Sequence, residues 1–161
     1  MNAVRVEVST ATASLLTGRA TKTLYRWVDD GSLPARHGDG DWTGSKIGGR
    51  LSFALSDLAP HMRIPITPDL ERELGRVEQG VADGFNEIGL MFFEHKAYEI
   101  GIHWLEMAAK KGHADAMDWL STCYLEGLGT KMDHARAIEW LGKAAAAGHP
   151  LAKEKVASLD R

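Results

Sequence analysis

The chain has 161 residues, 44% of them hydrophobic and 25% charged, which is ordinary for a folded soluble protein of one large or two small domains. One cysteine excludes a disulfide framework or a thiolate metal cluster. The net charge of −3 argues against bulk affinity for nucleic acid, but the charge is unevenly spread: residues 1–66 carry 8 Lys and Arg against 6 Asp and Glu, and residues 67–161 carry 11 against 16. A mildly basic front and an acidic back imply two parts with different partners. No apolar run reaches the ~18 residues of a membrane span, and the start has no charged-then-apolar signal pattern. The expectation is a cytoplasmic protein with no membrane association.

In chain order, Val4, Val6 and Val8 alternate with Arg5 and Glu7, the period of a short half-buried strand. Ser9-Thr10 offers a cap for a small helix over 11–16, which Gly18 ends. Thr21 reads as the N-cap of a second helix, with Leu24, Trp27 and Val28 at i, i+3 and i+4 on one apolar face. Gly31 and Pro34 stop it. Lys22, Thr23, Tyr25 and Arg26 lie off the apolar face, a front that a major groove can accept. The helix by itself fits an ordinary surface helix equally well. Two short helices joined by a glycine-containing turn nevertheless form a helix-turn-helix layout. A glycine-rich segment follows, and Leu51, Phe53 and Leu55 then alternate with Ser52 and Ala54, so strand, loop and strand make a hairpin. Val4 to Val8 offers a third strand. Ser56-Asp57 is expected to cap a short helix over 58–62.

The run L-L-T-G-R-A-T-K-T-L-Y-R-W-V-D-D-G-S-L-P, followed by G-G-R-L-S-F-A-L-S-D-L, resembles the winged helix-turn-helix of the excisionase and MerR-like family over roughly residues 1–62. That resemblance implies double-stranded DNA as a partner. Thr21, Lys22, Thr23, Tyr25 and Arg26 would lie in the major groove, Arg19 would hold a phosphate at the turn, and Arg36, Lys46 and Arg50 would act from the wing. The wing departs from the family pattern in its length and in carrying Asp39, Asp41 and Trp42. The tryptophan either packs back on the domain, the favoured reading, or intercalates.

Arg63 to Pro68 reads R-I-P-I-T-P, an extended linker placed at 63–67. Thr67 caps the next helix, with Pro68 at its first position and Asp69 and Glu71 in its first turn. Ile64 and Ile66 give the linker an apolar side that packs on something.

The remainder, 68–161, repeats itself. Residues 102–113 align with 138–149 at an offset of 36, and 88–93 align with 120–125 at an offset of 32, so the second copy carries a longer inter-helix loop. Paired amphipathic helices at such a period mark an α-solenoid. Leu120, Tyr124, Gly127, Gly129, Asp133, Ala137, Trp140, Ala144, Ala145, Gly148, His149 and Ala152 match the hallmark positions of the Sel-1-like branch of the tetratricopeptide family, which the copies resemble. The fold class is therefore mainly α: a small winged domain followed by about two helix-pair repeats, with 70–79 as a degenerate leading helix and 150–159 as a closing one. The leading helix and the winged domain are expected to help cap the short array. The resemblance implies protein–protein contact through the first helix of each pair. Asn86, Leu90 and Phe93, and in the second copy Asp118, Thr122 and Leu125, lie opposite the core face and are candidates for a partner or a second subunit. Packing against the leading helix would account for them equally well.

Catalytic chemistry finds no constellation of acid and base groups. His113 and His149 share one repeat position after glycine and read as turn residues, while His95, His103 and His134 lack zinc-site spacing. Cys123 lies on an inner face without a base beside it. The expectation is a non-enzyme with no cofactor and no metal: a DNA-binding transcriptional regulator whose repeats bind a protein or mediate a homodimer. The alternatives are an excisionase-type DNA-bending recombination factor and a non-DNA-binding adaptor that uses both domains for protein contacts.

Overall fold

The computed structural model describes residues 6–37 and 51–159. In chain order it contains β1 (Glu7–Ser9), α1 (Thr10–Thr17), α2 (Thr21–Asp29), β2 (Arg36–His37), β3 (Leu51–Ala54), α3 (Leu55–Leu58), a 3-10 turn (Ala59–His61), and then α4 (Pro68–Glu78), α5 (Ala82–Glu94), α6 (Tyr98–Lys110), α7 (Ala114–Glu126), α8 (His134–Ala146) and α9 (Pro150–Leu159). It is mainly helical, with one small antiparallel sheet in the order β1-β3-β2. The wing residues Asp39, Asp41, Trp42, Lys46 and Arg50 lie outside the described residues.

Strand parity divides the sheet. Val8 pairs with Phe53, and these two side chains enter the core with Leu51. On the other face Glu7 pairs with Ala54, and Arg36 pairs with Ser52. There the Ser52 hydroxyl donates to Glu7 Oε2 at 2.9 Å.

Helix ends follow side-chain chemistry. The Ser9 hydroxyl accepts from Thr12 N to cap α1, and Gly18 closes that helix at φ 64°. Thr21 does not cap α2 as expected. The Ala20 carbonyl accepts from Thr23 N at 2.8 Å and from Leu24 N at 3.3 Å, so Ala20 holds the cap position and Thr21 is the first helical residue. Gly31, at φ 78°, lets the chain turn so that Leu33 N reaches Trp27 O at 2.9 Å. The short helix expected at 58–62 starts earlier. Leu55 N donates to Val6 O at 2.9 Å, which carries the end of β3 directly into α3. Thr67 caps α4 by accepting from Leu70 N at 3.2 Å, with Pro68 in the first turn.

The repeat arithmetic reappears in the helices. α6 and α8 have 13 residues each and start 36 residues apart; α5 and α7 also have 13 each and start 32 apart. Gly112 and Gly148, both at positive φ, end the second helix of each pair. The imidazole after each glycine caps the following helix: His113 Nδ1 accepts from Ala116 N at 3.2 Å, and His149 Nδ1 accepts from Ala152 N at 3.1 Å. An accepting Nδ1 leaves the proton on Nε2. That edge faces a carboxylate of the preceding repeat in both copies, His113 toward Asp83 at 3.5 Å and His149 toward Asp115 at 3.4 Å. One residue type thus caps a helix and ties two repeats together.

The hydrophobic core runs without a break from Val8, Leu16, Leu24 and Phe53 through Ile64, Leu70 and Leu74 to Phe92, Trp104 and Leu120. Two polar contacts join the N-terminal elements to the helices that follow. The Trp104 indole N–H donates to Leu15 O at 3.2 Å. The Glu78 carboxylate, at the end of α4, accepts from Ser9 N, Ser9 Oγ and Thr12 Oγ1 at the start of α1. Buried Glu73 is held by Arg72 and Arg76, each at 3.0 Å, and Arg76 reaches on to Asp83 at 2.6 Å, linking α4 to α5.

Candidate functional site

Of the nine residues expected to touch DNA, Thr21, Lys22 and Arg26 are exposed on α2, and Arg19 is exposed on the turn before it. Leu24 is fully buried beneath them, so the helix has a packed back as its spacing predicts. Thr23 and Tyr25 are half-buried, and the Tyr25 ring packs against the core rather than standing in front of the helix. Arg36 is engaged elsewhere: its guanidinium lies 2.6 Å from Glu7 Oε1, because strand parity puts both on the outer face of the sheet. Lys46 and Arg50 lie outside the described residues. The helix also ends in two carboxylates, Asp29 and Asp30, so Lys22 and Arg26 are balanced within one element. Hydrogen bonds from the Ser32 hydroxyl, then from its backbone N–H, hold the Asp30 carboxyl below the usual carboxylate range. Asp30 therefore stays charged at neutral pH, and α2 with its cap presents no net positive charge.

The face expected to meet a protein partner is largely closed. Asn86 is 3% exposed, not open. Leu90 and Phe93 pack against the core, and Phe93 also makes edge-on contacts with Tyr98 and Trp119 at centroid distances of 5.2 and 5.9 Å. The Asp118 carboxylate is held by Lys155 of α9 at 2.9 Å, and the Thr122 hydroxyl turns back to Asp118 O. Leu125 alone of the six is open. It sits one repeat on from Phe93, and the ring that covers Phe93 comes from the following repeat.

Further open apolar residues lie elsewhere on the repeats, among them Trp119 on α7, Ile138 on α8 and Leu151 on α9. Ile138 is the informative one. It is 58% exposed, whereas Ile102, its counterpart in the first copy, is 3% exposed. Trp104 is fully buried, whereas its counterpart Trp140 is half-buried under the Lys143 ammonium, 4.2 Å from the ring centroid. The helices are equivalent in sequence but not in surroundings. α6 packs against α5, α7 and α1; α8 packs against α7 and α9. The sequence aligned these positions but held no signal that one would be covered and the other left open.

A concave feature escaped sequence reasoning altogether. A cleft of about 800 Å³ lies where the α1–α2 turn, the segment after the 3-10 turn, the α5–α6 loop and the α7–α8 loop converge. Its lining includes Arg19, His61, Arg63, Lys96, Glu99 and Lys131. These residues are spread over more than 100 positions of sequence, so no local pattern announces them.

Among the described residues, no group of three His, Cys, Asp or Glu side chains is placed to hold a metal ion, and no helix is long and apolar enough to cross a membrane. Burial, first of all, pushes the Cys123 thiol up to about 12, which leaves it protonated and unreactive at neutral pH.

Comparison with known proteins agrees with the repeat geometry. Residues 96–113 and 114–149 match the model of the Sel1 repeat, so the segment from α6 to α8 carries Sel1 repeats. A crystal structure of a protective antigen present in uropathogenic Escherichia coli strains, displaying an SLR fold, is similar at 29% identity with a TM-score of 0.51, over 56% of this chain and 20% of that one. A Sel1 repeat protein from Oxalobacter formigenes is 30% identical, with a TM-score of 0.46, over 51% of this chain and 25% of that one. The DAP3-binding cell death enhancer 1 of Mus musculus is 28% identical over 98 residues, 57% of this chain and 19% of that protein. The chain thus spans about a fifth of the length of that curated relative. The repeat model and the SLR-fold antigen support the repeats, and none of the comparisons supports the winged helix-turn-helix assignment or DNA binding.

Proposed function

We propose that the chain is an adaptor that binds a partner protein through its Sel1 repeats, with the N-terminal elements serving as part of the same protein-binding body and carrying out no reaction. The observation that carries this reading is the open face of α8. Ile138 stands open on a helix whose twin, α6, buries the counterpart Ile102. A helix face of this kind is a common anchor for a protein partner. The name of the mouse relative describes a protein that binds another protein, which is in keeping with the same use of the fold. Ile138→Glu tests the reading, because a charge at an already exposed position leaves the core untouched. Partners captured by the native chain are expected to be lost from the variant at unchanged melting temperature. Equal capture by both would refute the assignment of this face.

A second reading, a DNA-binding regulator, draws on one observation: Lys22 and Arg26 are exposed above a buried Leu24 on the second helix of a helix-turn-helix layout. It predicts specific, steeply salt-dependent binding to DNA from the gene's own upstream region, lost in Lys22→Ala/Arg26→Ala. Bending measured on circularly permuted fragments would distinguish an excisionase-type factor from a regulator. The balanced charge of α2 and the diversion of Arg36 to Glu7 favour the adaptor.

A further inference from the structure

The junction cleft carries a charge pattern unlike the rest of this acidic chain. Arg19, Arg63, Lys96 and Lys131 line it with His61, against one carboxylate, Glu99. Several cations elsewhere are neutralised: Arg36, Arg72, Arg76, Arg136, Lys143 and Lys155 each lie within ion-pair distance of a carboxylate. Among the described residues none of the four cleft cations takes part in an ion pair. Four like charges gathered in one recess repel one another and raise the local potential, a cost that an anionic ligand would offset.

The backbone of the cleft is built to close limits. A Cβ on Gly18 would stand 2.9 Å from the Ile100 side chain. One on Gly129 would overlap the Tyr98 carbonyl and lie 2.9 Å from Glu99 N. The first turn of α6 thus forms a floor with the α1–α2 turn against one side and the α7–α8 loop against the other. Lys96 supplies a second, independent sign. It is the non-glycine residue at positive φ among the described residues, at 57°, one position beyond His95, the counterpart of the Gly127 that leaves α7 at φ 71°. A lysine held where glycine is less strained is a feature whose cost suits a functional position better than a structural one.

We propose that this cleft binds an acidic segment of a partner protein, the Asp or Glu side chains pairing with Arg19, Arg63, Lys96 and Lys131. Its volume, about 800 Å³, accommodates several side chains of an extended peptide, whereas a duplex is too broad to enter a recess between loops. Glu99, the one negative group, would set register by repelling a carboxylate from that end. The proposal deepens the adaptor reading and rests on it only in taking the occupant to be protein.

The test is fluorescence anisotropy of the intact chain with a short labelled peptide rich in Glu, beside a neutral peptide of equal length and duplex DNA, each across a salt series. The acidic peptide is expected to bind, the neutral one not, with affinity falling as salt rises. Lys96→Gln/Lys131→Gln should weaken it about tenfold or more. Lys96→Gly is the sharper variant: it removes a charge and relieves the positive φ, so affinity should fall while the melting temperature holds or rises. Equal binding of the neutral peptide overturns the proposal, as does indifference to all three substitutions. Duplex DNA bound through Lys96 and Lys131 without peptide binding also overturns it, in favour of nucleic acid. If the peptide fails while Ile138→Glu still abolishes partner capture, the adaptor reading stands and the cleft assignment falls.

Discussion

Cys123 illustrates how a single residue is governed by its surroundings. Its side chain is fully buried on α7, and its thiol is raised from 9.0 to about 12, chiefly by desolvation. Below pH 9 both folded and unfolded chains hold the proton, so stability is unaffected. Between 9 and 12 the unfolded chain ionises and the folded one does not, so stability falls as pH rises, by up to about 1.4 kcal/mol per pH unit from this group. Denaturant melts of the native chain and Cys123→Ala across that range should diverge with this sign, the variant lacking the slope; parallel curves would refute it. The inward placement of Cys123 was legible from its repeat position. Arg36 was not: its partner Glu7 is 29 residues away and meets it only because both strands flank β3 with matching parity.

At the scale of elements, the helix pairs were legible because their punctuation is local. Gly112-His113 and Gly148-His149 each place a left-handed exit and a helix cap on adjacent residues, and local chemistry of this kind repeats with the sequence. The consequences of the longer α7–α8 loop were not legible. Gly129 in that loop brings its backbone against the start of α6, at φ 70°, so an added methyl meets both a wall and an unfavourable conformation. Gly129→Ala is expected to cost about 2–3 kcal/mol in a urea melt, through overpacking and left-handed strain together. Gly142→Ala, at a helical glycine with open space around its Cβ, is expected to be neutral or stabilising. Similar effects from both would mean that the loop does not close on α6. Asn86 failed as an open-face candidate for a related reason: helical spacing fixes a residue's direction but not what stands opposite.

At the scale of the whole molecule, the Trp104 bond to Leu15, the Glu78 contacts with Ser9 and Thr12, and one continuous core bind the N-terminal elements to the repeats. A fragment of residues 67–161 exposes Trp104 and leaves Glu78 unpaired, so it is expected to melt well below the intact chain; equal melting temperatures would show that the N-terminal elements add nothing. The same docking leaves α8 as the uncovered twin of α6, and it creates the cationic cleft, which neither half of the sequence could predict. Crosslinking mass spectrometry of the intact chain with its captured partner tests the adaptor account most directly. Lys143, which shares α8 with Ile138, should carry the dominant crosslinks, and Lys22 should carry few. Crosslinks concentrated at Lys22, or no protein partner at all beside specific DNA binding lost in Lys22→Ala/Arg26→Ala, would contradict it.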